Sequence, residues 1–375
     1  MEQIFITGFT IEKVRHLRDI FIPLSENQLR HLILTGKNGS GKTSVVEALA
    51  GYLENVFSDA KFEDRKGLEL HFNHTRSSIF GLKEKYHYIL AYYKADRTFH
   101  AAQPEHVEKV KLKDHYGLEE FPRNEFVKYL LDLKTVEAFA RPGKPEKAEA
   151  IQAWFDSLEQ LLKKIFDDET VALEFDEETF EFHILQQGKE PFDFNTLSGG
   201  YQAVLDIVVD LMMRMVNQTG RSFAFHLPGI VLIDEIETHL HLELQKNIMP
   251  LLTVLFPNIQ FIVTSHSPFI LNSLKDTVIY DLENHVLVEH GLDNVPYDGI
   301  VEGYFGADKL SDSLKEKFER YKNLVKKEGL SEEELDELAG LELYLDEIPD
   351  YLALDLTTEY QRLKIEFMSR EDLDG

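Results

Sequence analysis

His31-Leu32-Ile33-Leu34-Thr35 runs directly into Gly36-Lys37-Asn38-Gly39-Ser40-Gly41-Lys42-Thr43, and that junction restricts the chain to few architectures. The octet satisfies G-x-x-x-x-G-K-[ST] in full. Its glycines let backbone N–H groups turn inward around phosphate oxygens, and the helix predicted from Thr43 to Leu53 adds its positive dipole end. Strand, glycine turn and helix in this order predict an α/β sheet that holds a polyphosphate at the turn. Lys42 has the charge and reach for β- and γ-phosphates, and Thr43 offers a hydroxyl to Mg²⁺. Gly36, Lys37, Asn38, Gly39, Ser40, Gly41 and Ser44 complete the cradle.

Two uninterrupted apolar runs, Gly229 to Ile233 and Ile259 to Thr264, have the form of strands covered on both faces. A helical repeat from Leu240 to Leu255 separates them, which predicts parallel neighbours joined by a right-handed crossover. The first run ends in Asp234-Glu235. Burial on the strand holds Asp234 near a metal, normally through water, and leaves Glu235 beside a γ-phosphate as candidate base for an attacking water. The second run continues as Ser265-His266-Ser267-Pro268. A single histidine at a strand end reads first as structural. Glu235-Ile236-Glu237-Thr238-His239-Leu240-His241 concentrates acids and histidines as a zinc site would. His239 and His241 lie two apart, however, and do not share a helix face.

Leu197-Ser198-Gly199-Gly200-Tyr201-Gln202 lies between the P-loop and the acidic strand. It resembles the ABC signature LSGGQ, and the four motifs in this order resemble those of ABC-type ATPases. The resemblance implies ATP and Mg²⁺ as cofactors, with Thr43 and Asp234 serving the metal and Lys42, Glu235 and His266 the chemistry. His266 matches the switch histidine that hydrogen-bonds the γ-phosphate. Ser198, Gly199 and Gly200 match the turn that binds the γ-phosphate of a partner subunit, so a homodimer or higher oligomer through the ATP sites is implied. Glu235 to His241 resembles the D-loop along that seam. The implied fold is an α/β ABC-ATPase head: a mixed, largely parallel P-loop sheet, an antiparallel β subdomain, a helical insertion and a C-terminal helical appendage.

Transporter ATPases usually continue D-E as D-E-P, whereas here the run is Asp234-Glu235-Ile236-Glu237 followed by Leu240-His241. This form is similar to the RecF/SMC-related, OLD-like branch, which includes bacterial anti-phage ATPases of the Septu and retron-associated kinds. It implies a sensor or regulatory ATPase acting with a separate effector such as a nuclease. A RecF/SMC-like repair ATPase is the alternative reading, and a transporter ATPase a more distant one. Departures are also visible. Thr43 to Leu197 is too short for an SMC coiled coil, and no Toprim pattern follows His266. The Q-loop glutamine is missing; Gln103 is a weak candidate, and Arg97 is an equally good phosphate or interface contact.

Forty Lys and Arg against 67 Asp and Glu leave a net charge of -27, which repels a phosphate backbone unless basic residues cluster. Nucleic acid is therefore expected to bind, if at all, locally rather than through overall charge. Lys109, Lys111 and Lys113 form a candidate basic row on a strand face. No apolar stretch approaches the roughly 20 residues of a membrane span. The chain starts without a signal-peptide pattern and has no cysteine, so a cytoplasmic protein without membrane contact is expected. Further strands are expected at Phe5 to Phe9, Ile20 to Leu24, Tyr86 to Tyr93, Val171 to Phe175 and Phe180 to Leu185. Helices are expected at Asn124 to Phe139, Lys147 to Phe166 and from Gly200 to Val216. The ATPase domain is expected over 1–308, with its helical insertion at about 120–168. Residues 309–375 read as an acidic helical region, with Ser311 and Ser331 as N-caps, Ser331 pairing with Glu334 in a capping box. This region offers either a docking surface for the effector or a solvated helical cap.

Overall fold

Parallel strands buried on both faces organise the molecule. The computed structural model describes residues 3–57, 67–75, 88–220, 222–223, 225–301, 312–346 and 354–369. Among these, Ile6–Val14 (β1), Leu17–Pro23 (β2) and Leu68–Phe72 (β4) form an antiparallel sheet in the order β2-β1-β4. The central sheet contains Leu32–Thr35 (β3), Ile89–Tyr93 (β5), Gly229–Ile233 (β8), Ile259–Thr264 (β9), Val278–Asp281 (β10) and Val286–Val288 (β11). Its order is β11-β10-β3-β9-β8-β5, parallel except for the β10–β11 pair. The mixed, largely parallel sheet and the antiparallel subdomain are as the resemblance implies. Every residue of β3, β8, β9 and β10 is buried, which is why two of these strands show as unbroken apolar runs.

Lys42–Phe57 (α1) packs between the two sheets. One apolar cluster joins Ile11 and Leu17 of the small sheet, Leu49 and Leu53 of α1, and Leu232 and Ile262 of the central sheet. The strand order places β9 between β3 and β8, so the carboxyl ends of all three open on one edge. That edge is where ligands sit in open α/β sheets.

A 3₁₀ turn, Pro122–Glu125, leads into Phe126–Ala140 (α2) and Pro145–Phe166 (α3), followed by the hairpin Ala172–Phe175 (β6) and Phe182–Leu185 (β7). Trp154 packs edge-on against Tyr129, Phe155 and Phe223 in this layer. Gly199–Val216 (α4) is buried nearly all round. Two of its carboxylates, Asp206 and Asp210, are fully buried. Arg123 lies 2.6 Å from Asp206, Arg214 lies 2.7 Å from Asp210, and the Tyr93 hydroxyl donates to Asp210 at 2.7 Å. Arg214 also donates to the carbonyls of Leu90, Gly117 and Glu120. These bonds tie α4 to β5 and to the segment before α2.

Leu242–Leu255 (α5) and the short Pro268–Leu271 (α6) complete this unit, which spans Met1–Tyr297. Residues 100–120 contain no strand, although Val107 to Lys113 alternates. Period-two alternation marks one-sided burial, and Val110 is buried here without a ladder partner. The lysine row is therefore not a strand face; Lys113 pairs with Glu120 at 2.9 Å. Tyr86 and Ser311 lie outside the described residues.

The second unit, Asp298–Gly375, contains Asp312–Lys326 (α7), Glu332–Asp346 (α8) and Leu354–Met368 (α9). Tyr321 and Tyr360 meet edge-on within its core. The Ser331 hydroxyl accepts from the Glu334 N–H at 3.3 Å, and Glu334 accepts from the Ser331 N–H at 3.1 Å, closing the capping box. No described helix is long and apolar enough to cross a membrane.

Two outcomes follow from this packing. A Cβ at Gly229 would stand 2.4 Å from the Ile89 carbonyl oxygen. Gly229→Ala is expected to push β5 from β8 and cost at least about 1–3 kcal/mol, read from denaturant melts. Burial, opposed by Arg123 and reinforced by Asp210, raises the Asp206 carboxyl to about 6. A raised folded value favours the native state below the ordinary carboxylate range and withdraws that advantage as pH rises through 6. Between pH 4 and pH 7, wild type should therefore lose up to about 3 kcal/mol relative to Asp206→Asn, measured by the same melts.

Candidate active site

The P-loop geometry requires glycine where the sequence supplies it. Gly36, Gly39 and Gly41 have φ of +133°, +89° and +100°. A Cβ would also stand 2.8 Å from Ser40 Oγ at Gly36 and 2.9 Å from Leu17 at Gly41. Lys42 is buried and donates through Nζ to the carbonyls of Gly36, at 2.6 Å, and Lys37, at 3.2 Å. Two of its three N–H donors are thus engaged by its own loop. Lys37 points elsewhere: its ammonium and its backbone N–H both meet Glu283, each at 3.1 Å. A cleft of about 200 Å³ runs along the loop from Asn38 to Ser44, with Glu235 facing it and Arg15 and His16 of the β1–β2 turn closing another side.

Asp234 and Glu235 emerge from β8 into a strained turn. Glu235 has φ +45°, a left-handed conformation that costs a non-glycine residue on the order of 1 kcal/mol or more. Two side chains from other elements hold it there. The Arg97 guanidinium, almost fully buried, donates to the carbonyls of Asp234 at 2.9 Å, Glu235 at 3.1 Å and Ile236 at 2.8 Å. Thr264, ending β9, donates its hydroxyl to Asp234 Oδ1 at 2.6 Å and accepts the Glu235 N–H at 2.7 Å. Burial pushes the Arg97 guanidinium down from its ordinary value, and the nearby carboxylates of Asp206, Glu237, Asp234 and Glu235 oppose that shift. Arg97 is therefore a buried strut, not the phosphate or interface contact considered from sequence. Gln103 is exposed and does not line the cleft.

His266 follows β9 and is about half exposed. Its Nδ1 lies 3.0 Å from Glu237 Oε1, and its backbone N–H donates to the same oxygen at 2.7 Å. Glu237 is buried and its Oε2 has no hydrogen-bond partner among the described residues.

Ser198 and Gly199 are exposed at the start of α4, and Ser198 makes no side-chain cap. Gly200 is buried: a Cβ there would meet the His239 carbonyl oxygen and Leu244, each at 3.2 Å. His239 has φ +68°, and His241 precedes α5 with its ring edge-on to Tyr201. The signature turn thus rests on the segment that follows the acidic strand, but it does not line the P-loop cleft.

The structure brings Asn38, Gly39, Gly41, Lys42, Thr43, Ser44 and Glu235 to one cleft, with Asp234 directly behind. It leaves Ser198 to Gly200 apart and turns Lys37 toward Glu283. Sequence reasoning missed Thr264, Arg15 and His16, and missed Glu237 as the partner of His266. Only the Asp234-Glu235-Ile236-Glu237 run hinted at the last.

Comparison with known proteins agrees with these motifs. The family described as "AAA domain, putative AbiEii toxin, Type IV TA system" matches residues 139–272. The chain is 26% identical to Septu protein PtuA of Bacillus mycoides over 96% of its own length and 52% of that protein's. It is 33% identical to "Retron Ec83 probable ATPase" of Escherichia coli over 38% of its length and 28% of the relative's. The chain thus spans about half the length, or less, of these relatives. Among solved structures, an Smc head bound to the C-terminal winged-helix domain of ScpA aligns over 79% of this chain and all of that one, with a TM-score of 0.41 and 15% identity. Its motifs, its sheet and its sequence relatives make the chain similar to P-loop ATPases, among them proteins of the Septu and retron groups.

Proposed function

We propose that the chain binds ATP with Mg²⁺ and hydrolyses it in composite sites formed when two copies meet face to face. The state of that dimer then governs a separate effector, such as a nuclease, in bacterial anti-phage defence. The observation that carries the composite site is a separation within one chain. The cleft takes in the P-loop and Glu235, whereas the exposed N-terminus of α4 at Ser198 and Gly199 lies outside it. An uncapped helix N-terminus presents N–H donors suited to a phosphate, and a second copy supplies the phosphate that the first cannot bring to it. The effector reading rests on the alignment with Septu PtuA and the retron ATPase.

In this reading Lys42 transfers its donors from the Gly36 and Lys37 carbonyls to β- and γ-phosphate oxygens. Thr43 lines the cleft, and Thr264 engages only Oδ1 of Asp234, so hard oxygen donors of the kind Mg²⁺ prefers are present. Thr43, and Asp234 through water, would hold the ion, which supplies charge neutralisation at the β- and γ-oxygens. Glu235 takes the proton of the attacking water as the bond to the β–γ bridging oxygen breaks, and His266 hydrogen-bonds the γ-phosphate. The φ +45° turn, held by Arg97 and Thr264, keeps the Glu235 carboxylate at the cleft without a reorganisation step.

Glu235→Gln is expected to lower kcat by about 10²–10⁴-fold while ATP-dependent dimers persist, followed by phosphate release and light scattering. Unchanged turnover would remove Glu235 from the chemistry. Ser198→Arg should also silence the protein. Mixing it with Glu235→Gln should restore hydrolysis, because each mixed dimer then contains one intact site; a mixture as silent as its parts would rule out composite sites.

A further inference from the structure

The Glu237 carboxylate has no task in the reading above, yet its placement is unusual. It is buried, it sits three residues beyond Asp234, and only one of its oxygens is used. A buried carboxylate with an unpartnered oxygen is costly to maintain, and a neutral residue would avoid the cost. Its Oε1 accepts the backbone N–H of His266 at 2.7 Å and lies 3.0 Å from the ring Nδ1 of the same residue. A carboxylate can only accept, so this approach favours a ring that carries its proton on Nδ1. The ring is about half exposed, and its Nε2 makes no hydrogen bond among the described residues.

We infer that Glu237 is a positioning residue that fixes the tautomer and orientation of His266, presenting Nε2 to the γ-phosphate side of the site. The inference rests on His266 acting at the γ-phosphate and adds the group that orients it. A carboxylate behind a histidine holds the ring at one angle and in one tautomer, as it does for metal-bound and triad histidines. One carboxylate oxygen thus faces both the backbone N–H and the ring Nδ1 of His266. The pairing also accounts for the second acid in Asp234-Glu235-Ile236-Glu237: strand β8 delivers the candidate base and, two residues later, the anchor of the histidine that follows β9.

The first measurement needs no substitution. Long-range ¹H–¹⁵N correlation spectra of the full chain labelled with ¹⁵N-histidine, with His266→Ala to assign the signal, should show the neutral His266 ring protonated on Nδ1. A neutral ring protonated on Nε2 would overturn the inference. The second is a kinetic cycle. Glu237→Ala should lower kcat by about 10–100-fold with KM for ATP little changed. The double variant Glu237→Ala/His266→Ala should be no slower than His266→Ala, because the anchor is worthless without the ring. Losses that multiply in the double variant would show that Glu237 acts elsewhere. If Glu237→Ala does not fold, the tautomer of the unmodified protein decides. Failure of the parent reading looks different: His266→Ala would then turn over normally whatever the tautomer of His266 in the unmodified protein.

Discussion

The candidate site depends on one guanidinium. Arg97 binds the carbonyls of three successive residues, Asp234, Glu235 and Ile236, and so holds a turn that Glu235 would not adopt unaided. Left-handed backbone at a non-glycine residue persists only where surrounding bonds over-determine it. Here the opposite face is held by Thr264, which bonds the Asp234 carboxylate and the Glu235 N–H together. Burying a guanidinium is expensive unless its donors and charge are matched. Main-chain carbonyls satisfy the donors, and the ring of acids around it, Asp206, Glu237, Asp234 and Glu235, supplies the charge.

The same ring extends into α4. Asp206 lies within electrostatic reach of Arg97 and pairs with Arg123, and Asp210 beside it holds Arg214 and Tyr93. The helix that begins with the signature turn is therefore locked to β5, the neighbour of β8. At its other end Gly200 packs against the His239 carbonyl, which a Cβ would approach to 3.2 Å. The signature turn and the residues after Glu235 are thus in direct contact inside one chain.

How much of this was legible in the sequence depended on burial pattern. Strands β8 and β9 agree with the reading residue for residue, because a strand covered on both faces shows as an apolar run with sharp ends. The P-loop was legible because its glycines carry the positive φ that defines it. The segment around Lys109 to Lys113 misled, since one-sided burial imitates a strand without needing a partner strand. Arg97 was misread for a related reason: its partners are carbonyls, which every residue has, so no pattern of side chains announces them.

The sequence by itself determined the class of the protein: a phosphate-binding turn, an acidic strand end and a signature turn in an order that resembles P-loop ATPases. It also determined the parallel strands that bring those motifs to a common edge. Only the tertiary structure decided which groups work together there. Glu237 and His266 are 29 residues apart and meet because β8 and β9 pair in parallel, Ile233 opposite Val263. Arg97 reaches the acidic turn because β5 lies beside β8. Such contacts depend on register and strand order, which arise from packing the whole sheet and leave no local trace in the chain.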